Sequence, residues 1–173
     1  MNPFDLVVVG GGAAGFMTAV TAAENGVKRI IILEGSSKLM EKVRISGGGR
    51  CNVTNASWIP SELAENYPRG GIKLLESFNR FAAGDVFDWF EKRGLNLKIE
   101  ADNRVFPVSD SSLDVISCLK KNAINNGVEI STKFFVKEIL KTSDNLFTIF
   151  NSEKISIIAK NIVLSTGGHP SGH

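Results

Sequence analysis

The stretch that decides the fold is Phe4–Glu34, which reads FDLVVVGGGAAGFMTAVTAAENGVKRIIILE. Phe4–Val9 is an apolar, valine-rich run typical of a strand buried on both faces of a parallel sheet. Ala13–Asn25 has the composition of a helix, and Gly26 follows where a left-handed residue would end it. Ile30–Leu33 repeats the strand signal. The stretch therefore predicts a strand–helix–strand (βαβ) unit.

The turn between the first strand and the helix matches the pattern GxGxxG, with Gly10, Gly11, Gly12, Ala13, Ala14 and Gly15. In this context the first glycine permits a tight turn, Gly12 leaves room for a pyrophosphate, and Gly15 allows close helix packing. The first helical N–H groups, including those of Ala13 and Ala14, then face the phosphates. A glycine-rich turn without a ligand is the simpler alternative, and the complete βαβ context disfavours it.

Glu34 ends the second predicted strand. A carboxylate there accepts hydrogen bonds from the ribose hydroxyls of an adenine dinucleotide. It would also repel a 2′-phosphate, which disfavours NADP at this site. An isolated acid at a strand end is more often only solvated, but the register of Glu34 with the glycine motif favours the ribose role.

The glycine motif alone leaves NAD and FAD open, because both present an ADP half to it. Two later features favour FAD. Four strand-like segments near 129–133, 134–140, 146–151 and 155–159 predict a β-meander where an NAD domain would more often continue with a helix. A last strand, Ile162–Leu164, then enters the turn Ser165–Gly168, where a second backbone segment can approach the cofactor, although an ordinary strand exit would look the same.

The sequence predicts one Rossmann-like α/β domain that binds FAD over residues 1–173, with a parallel sheet and a meander crossover. Its parts are the βαβ unit 4–34, a loop and helical insertion 35–127, and the meander and last strand 128–168. Within the insertion we expect irregular chain with one helical turn, followed by helices Lys73–Phe81 and Asp85–Arg93, a hairpin Leu95–Pro107 and a helix Ser112–Asn126. Asp85 and Ser112 are the expected N-caps of their helices.

Composition sets further limits. The chain has 173 residues, 43% of them hydrophobic, and a formal net charge of +2 with no basic run longer than two, so we expect neither a nucleic-acid partner nor a membrane partner. Cys51 and Cys118 have no disulfide or zinc spacing, which suits a reducing cytoplasm.

His169 and His173 have the spacing of a helical metal site, but Pro170 and Gly172 oppose a helix there, and we expect no metal.

Beyond the general pattern, Phe4–Glu34 resembles the FAD fingerprint of the glutathione-reductase type, and Leu164–Gly167 resembles its Ala-Thr-Gly motif with serine in place of alanine. More narrowly, Lys42–Asn55 (KVRISGGGRCNVTN) and Arg104–Ser109 (RVFPVS) are similar to motifs of bacterial flavoproteins known as aminoacetone oxidases or BaiN-like NAD(P)/FAD-dependent oxidoreductases. The resemblance covers the whole chain. It implies further cofactor-binding residues: Lys42, Ser46, Gly47, Gly48, Gly49, Arg50, Cys51, Val136, Thr166 and Gly167.

Within that set, Val136 matches a position whose backbone meets the adenine edge. Met40 and Glu41 stand where the family pattern usually has Gly-Arg, so no contact of that arginine carries over. The N–H groups of Gly47–Gly49 could form an anion-binding nest with Arg50 adding charge, or the run could be a purely structural loop. Cys51 could lie near the flavin ring, but a buried, inert thiol is the more common reading.

The resemblance implies FAD-dependent oxidation or reduction of a small organic substrate, with NAD(P)H as electron donor. Family members are more than twice as long, so the resemblance implies that residues 1–173 are the N-terminal part of an FAD-binding domain. We therefore expect the 173 residues to retain FAD poorly and to lack the catalytic groups. Two other functions stay open at this point. One is an FAD-dependent RNA-modifying enzyme, which the near-balanced charge disfavours. The other is a nucleotide-sensing module without turnover.

Overall fold

A computed structural model describes residues 2–168, and the chain divides into two compact units. The first unit comprises the residues up to Lys42 and those from Leu119 onward, and the second is Val43–Cys118. The strands are β1 (Leu6–Val9), β2 (Ile30–Leu33), β3 (Thr54–Asn55), β4 (Leu97–Ile99), β5 (Arg104–Pro107), β6 (Glu129–Ser131), β7 (Val136–Lys141), β8 (Phe147–Asn151), β9 (Ser156–Ala159) and β10 (Ile162–Leu164). The helices are α1 (Ala13–Glu24), α2 (Glu41–Ile45), α3 (Pro60–Glu65), α4 (Gly71–Phe78), α5 (Ala83–Glu91) and α6 (Ser112–Asn125).

The first unit contains a parallel sheet with the strand order β10-β1-β2-β6. All residues of β1 and β2 are buried, as expected for strands that are covered on both faces. Helix α1 connects these two strands and ends before Gly26, which has a φ of +92°. The predicted fold class, a Rossmann-like α/β domain with a parallel sheet, is confirmed.

The meander consists of β7, β8 and β9, which pair in antiparallel register. The expectation that a strand near 129–133 opens this meander is wrong. That segment, β6, pairs in parallel with β2, where Ile130 lies opposite Ile32. The physical reason is its connection: β6 follows helix α6, and a helical crossover returns the chain to a parallel position, whereas tight turns produce antiparallel neighbours.

The two faces of the parallel sheet are covered by different elements. Helix α1 packs on β1 and β2, and it buries Phe16, Ala19 and Val20. The alternate side chains of the same strands belong to a second cluster with the meander, formed by Val7, Val9, Ile31, Leu33, Phe134, Ile149 and Ala159. Packing in this cluster fixes the carboxyl ends of β1 and β2. In open parallel sheets, ligands bind at this edge.

The second unit is built on an antiparallel sheet with the order β3-β5-β4, in which Val105 and Phe106 are fully buried. The predicted hairpin Leu95–Pro107 is confirmed as β4 and β5. The region 35–71 contains more helix than the single expected turn, since α2, a 3₁₀ turn at Ser46–Gly49 and α3 all lie in it.

Two expected helix caps are corrected. Asp85 is not the N-cap of its helix, because α5 already begins at Ala83 and the Asp85 carboxylate accepts a 2.7 Å bond from the N–H of Ala82. In α6 the hydroxyl of Ser112 donates to the carbonyl of Arg44, while Ser111 Oγ accepts the N–H of Leu113. Both helices therefore begin earlier along the chain than the residue types suggested.

Across residues 2–168, none of the helices has the length and apolar character needed to cross a membrane. The same part of the chain holds no group of three or more His, Cys, Asp or Glu side chains that could bind a metal ion. His169 and His173 lie outside the described residues.

Candidate dinucleotide site

The glycine turn after β1 is packed so closely that side chains are excluded at two positions. A Cβ atom on Gly10 would lie 2.4 Å from the carbonyl oxygen of Ser165, and Gly10 has a φ of +113°. A Cβ atom on Gly15 would lie 2.0 Å from the carbonyl oxygen of Gly10. These contacts give a physical reason for glycine at the first and last positions of the motif.

Ser165, the residue that replaces alanine in the Ala-Thr-Gly pattern, takes part in this packing. Its hydroxyl donates to the carbonyl oxygens of Val9 at 3.0 Å and Gly10 at 3.2 Å, and its N–H donates to Val9 at 2.8 Å. The end of β10 is thus bonded directly to the glycine turn at the end of β1.

Gly12 differs from the other two glycines of the pattern. Among the described residues, and apart from its two chain neighbours, no atom lies within 4 Å of the position that a Cβ would occupy there. Ala13 and Ala14 beside it are exposed. The first N–H groups of an α-helix have no acceptor within the helix. An open space therefore faces the positive end of α1, as a pyrophosphate requires.

The Glu34 carboxylate is held by two backbone donors. Oε2 accepts the N–H of Gly11 at 2.8 Å, and Oε1 accepts the N–H of Ser36 at 2.7 Å. Gly11 also accepts the N–H of Met40 at 2.9 Å, which ties the segment after β2 to the glycine turn. Each carboxylate oxygen has a second lone pair, so Glu34 can still accept ribose hydroxyls.

A cavity of about 540 Å³ opens beside Glu34 at the carboxyl ends of β1 and β2. Val136 and Thr166, both expected at the cofactor, line this cavity together with Gly10 and Glu34. The structure therefore gathers residues from the glycine turn, the end of β2, the start of β7 and the turn after β10 around one space. Cavities of this size take small molecules and cofactor fragments.

Lys42 extends to the turn that follows β10. Its Nζ donates to the carbonyl of Gly168 at 2.5 Å and lies 3.3 Å from the Cβ position of Gly167, whose φ is +73°. The ammonium group thus lies beside Gly167 and Gly168, and an exposed cation at this position can contact an anionic ligand.

The glycine loop belongs to the second unit and is described by itself. Gly47, Gly48 and Gly49 have φ values of +55°, +67° and +87°. Glycine adopts such left-handed conformations without steric cost, which explains why three glycines occur here. The loop is closed by the N–H of Cys51, which donates to the carbonyl of Ser46 at 3.0 Å. The Cys51 side chain is buried, and this burial raises the pKa of its thiol, with a smaller opposing effect from a hydrogen bond with Ser46.

Arg50 lies in a local network of charges. Its guanidinium donates to Glu100 at 2.6 Å and to Asp110 at 3.5 Å, and it stacks 3.9 Å from the centre of the Phe106 ring. The hydrogen bond with Glu100 is the main cause that raises the pKa of Arg50. The ring of Phe106 also lies 2.9 Å from the Cβ position of Gly47, so the same ring contacts both Arg50 and the glycine loop.

Four residues at the site were not predicted from the sequence: Gly11, Ser36, Phe135 and Ser165. The GxGxxG pattern treats the second position as variable, yet a Cβ on Gly11 would lie 2.8 Å from Leu39 Cδ2 and 3.0 Å from Glu34 Cβ. The run Gly10–Gly12 was the sequence signal that could have identified Gly11. For Ser165 the signal was its place in the motif similar to Ala-Thr-Gly, whereas Ser36 and Phe135 carry no sequence pattern that would have identified them.

The residues present suit the ADP half of FAD. Open space at Gly12 and the start of α1 suit the pyrophosphate, Glu34 suits the ribose, and the cavity beside it suits the adenine. The reactive ring of the flavin lies at the other end of that cofactor.

Comparison with known proteins places the chain in a family. The model of the HI0933-like protein Rossmann domain matches residues 4–172. A 3-dehydro-bile acid delta(4,6)-reductase of Clostridium scindens is 30% identical over 95% of this chain and 39% of that protein. A ribosomal RNA dihydrouridine synthase of Escherichia coli is 26% identical over 97% of this chain and 40% of that protein.

Among solved structures, a 3-ketosteroid-delta4-(5alpha)-dehydrogenase of Rhodococcus jostii superimposes with a TM-score of 0.70 at 14% identity, covering 95% of this chain and 46% of that one, which shows the shared fold. The chain spans about two fifths of the length of the two relatives above. The family resemblance and the expected cofactor, FAD, are confirmed. The chain belongs to the HI0933-like family of FAD-binding Rossmann domains.

Proposed function

We propose that this chain holds the ADP half of FAD in a reductase that adds two electrons and two protons to a carbon–carbon double bond conjugated to a carbonyl group. The chain belongs to an oxidoreductase family. The substrate class, the donor NAD(P)H and the assignment of individual residues to the cofactor are the proposal.

The observation that carries the cofactor assignment is the double hydrogen bond of Glu34 to Gly11 and Ser36. These bonds hold a carboxylate at the carboxyl edge of the sheet, beside the glycine turn and the cavity. A carboxylate in that place accepts ribose hydroxyls and repels a 2′-phosphate. It supports an FAD site on this chain and a separate place, on another part of the protein, for any NADPH.

The substrate class is supported by the names of the two relatives. A 3-dehydro-bile acid with delta(4,6) unsaturation has double bonds conjugated to a ketone, and uridine has a ring double bond conjugated to a carbonyl. A reductase of the first and a dihydrouridine synthase both saturate such a bond. A carbonyl group makes the distant carbon of the double bond electron-poor, so that it can accept a hydride.

The residues of this chain would act on the cofactor and not on the substrate. Glu34 orients the adenosine, the start of α1 neutralises the pyrophosphate, and Lys42 and Arg50 are the proposed cationic contacts, with Ser46–Gly49 and Cys51 nearer the flavin. FAD, when bound, would supply the two-electron redox chemistry. Binding in an extended form fixes where the reactive ring lies relative to the rest of the protein.

A second candidate is the same reduction performed on a uridine of RNA. The E. coli relative favours it, since that protein is a ribosomal RNA dihydrouridine synthase. Against it stands the charge of this chain, +2 overall with no basic run longer than two, because RNA affinity depends on neutralising many phosphates.

The test uses the whole protein purified with its flavin under anaerobic conditions. We expect NADH or NADPH to bleach the flavin, and a conjugated cyclic enone to restore its colour. The matched saturated ketone and an alkene without a carbonyl should not restore it. Restoration by all three compounds, or no bleaching by either nicotinamide, would contradict the proposal.

A uridine-containing ribosomal RNA fragment, tested in the same assay at moderate salt, separates the two candidates. Restoration of colour by the RNA, together with dihydrouridine in the product, would favour the RNA-modifying enzyme. Restoration by the enone alone favours the small-molecule reductase.

A further inference from the structure

We propose that Phe135 is a specificity-determining residue that provides a stacking surface for the adenine ring in the cavity beside Glu34. This inference rests on the proposed nucleotide site and adds a residue that the glycine pattern and the Val136 position do not include.

The first observation is the contrast between two adjacent phenylalanines. Phe134 is 7% exposed and belongs to the core cluster under the sheet, whereas Phe135 is 61% exposed and lines the cavity. A large aromatic ring left in solvent at a cavity wall has no structural role in the core. Its apolar surface is available to a ligand.

The second observation is that Gly35 provides the space for this ring. A Cβ atom on Gly35 would lie 3.0 Å from Phe135 Cδ2 and 3.5 Å from Phe135 Cα. The residue directly after Glu34 must therefore be small for Phe135 to lie where it does. This contact places the Phe135 ring, the proposed stacking surface, next to the residue that follows Glu34, the proposed ribose acceptor.

The third observation is that the backbone on both sides is fixed. The N–H of Glu34 donates to Ser131 at 2.8 Å, that of Phe134 donates to Glu34 at 2.9 Å, and that of Lys133 donates to Ser36 at 2.9 Å. These bonds join the end of β2 to the segment that carries Phe135. The backbone that carries the ring is thus fixed near Glu34, which reduces the entropy lost in ordering this segment on binding.

The chemistry of the cavity selects a neutral heterocycle. Its walls are mainly apolar, with Val9, Leu33, Phe134 and Val136 among them, and of the lining residues within 2–168 only Glu34 is charged. Since no lysine or arginine of this described range lines it, the cavity does not suit a phosphate. An uncharged, flat ring attached to a ribose matches an apolar wall, an aromatic face and a carboxylate.

The test measures binding of ADP and of pyrophosphate to the 173-residue chain by NMR titration, which detects weak binding and needs no turnover. We expect Phe135→Ala to weaken ADP binding about tenfold, because base–aromatic stacking contributes on the order of 1–3 kcal/mol. Pyrophosphate has no base, so its affinity should not change. Phe135→Trp should keep the ADP affinity.

Two further variants make the test specific. Gly35→Ala should weaken ADP binding in the same direction as Phe135→Ala, since it displaces the ring without removing it. Leu140→Ala removes another exposed apolar side chain, on β7 and outside this cavity, and should change nothing. Amide spectra that match those of the parent chain show that each variant is folded.

Equal ADP affinity in the parent chain and Phe135→Ala would overturn this inference and leave the nucleotide site intact. Equal losses for ADP and pyrophosphate would also overturn it, since they indicate a general disturbance. If the parent chain binds no ADP at all, the proposed site itself fails, and the inference fails with it.

Discussion

The N–H of Gly11 donates a 2.8 Å hydrogen bond to Oε2 of Glu34, and this bond joins the glycine turn after β1 to the residue that ends β2. The proposed phosphate site and the proposed ribose site are therefore connected before any ligand binds. A preformed arrangement of this kind lowers the cost of ordering on binding. It also means that a change at Glu34 affects both fold and ligand.

Replacing Glu34 with Gln tests that connection. The two carboxylate oxygens accept from two N–H donors, Gly11 and Ser36, but an amide offers only one oxygen and places its NH₂ group against the other donor. A part-buried donor without an acceptor costs about 1–3 kcal/mol. We expect Glu34→Gln to lower the free energy of unfolding by an amount in this range and to weaken ADP binding. Urea denaturation and ADP titration measure the two effects, and unchanged values for both would contradict the account.

Two alanine substitutions in the glycine turn should separate folding from binding. Gly12→Ala adds a methyl group where no described atom beyond the chain neighbours lies within 4 Å, so stability should be close to that of the parent chain. ADP binding should fall, because the methyl group occupies the proposed pyrophosphate space. Gly15→Ala brings its Cβ to 2.0 Å from the carbonyl oxygen of Gly10 and should cost at least about 2 kcal/mol of stability. Thermal unfolding and ADP titration on both variants distinguish the roles. An ADP affinity unaffected by Gly12→Ala would show that the pyrophosphate lies elsewhere.

Arg50 should stabilise the second unit through Glu100, Asp110 and the Phe106 ring. We expect Arg50→Gln to lower the urea midpoint, and Arg50→Lys to restore only part of it, because lysine keeps the charge without the planar group. The matched control is Arg80→Gln. The Arg80–Glu76 pair is 78% and 79% exposed, against 33% and 28% for Arg50 and Glu100, and it should contribute nothing measurable. Equal midpoints for the two glutamine variants would refute the role given to Arg50.

Cys51 should resist alkylation in the native chain. Burial raises the pKa of its thiol, and only the thiolate reacts, so at pH 8 labelling should be much slower in buffer than in urea. In unfolded chain the pKa returns to about 8.5. Because the pKa is higher in the folded chain than in the unfolded chain, the protonated thiol favours the folded state at pH values below the unfolded pKa. This contribution to stability is lost as the pH rises through the folded pKa. Peptide mass spectrometry of a Cys118→Ala variant measures the rate at Cys51 alone; native labelling as fast as in urea would disprove this prediction.

The sequence contained enough local information for the βαβ unit and its glycine turn. Apolar runs at β1 and β2 and a helix stop at Gly26 are short-range signals, and all three correspond to the structure. The place of β6 depended on pairing with β2, about a hundred residues away in the chain, which no local pattern contains.

The site shows the same limit. Gly10, Gly15 and Glu34 follow from a spacing rule, and the structure brings them together as that rule requires. The contact between Gly35 and Phe135 joins residues far apart in the chain, and neither residue belongs to a motif. Such a contact depends on the tertiary fold and could not be predicted from the sequence.

The most direct test of the central claim is a competition titration of the 173-residue chain with FAD. If the chain binds the ADP half, FAD should bind weakly but measurably, ADP should displace it, and FMN, which has no adenosine, should not. Displacement of FAD by FMN but not by ADP would contradict the account, since it would place the binding contacts on the flavin side.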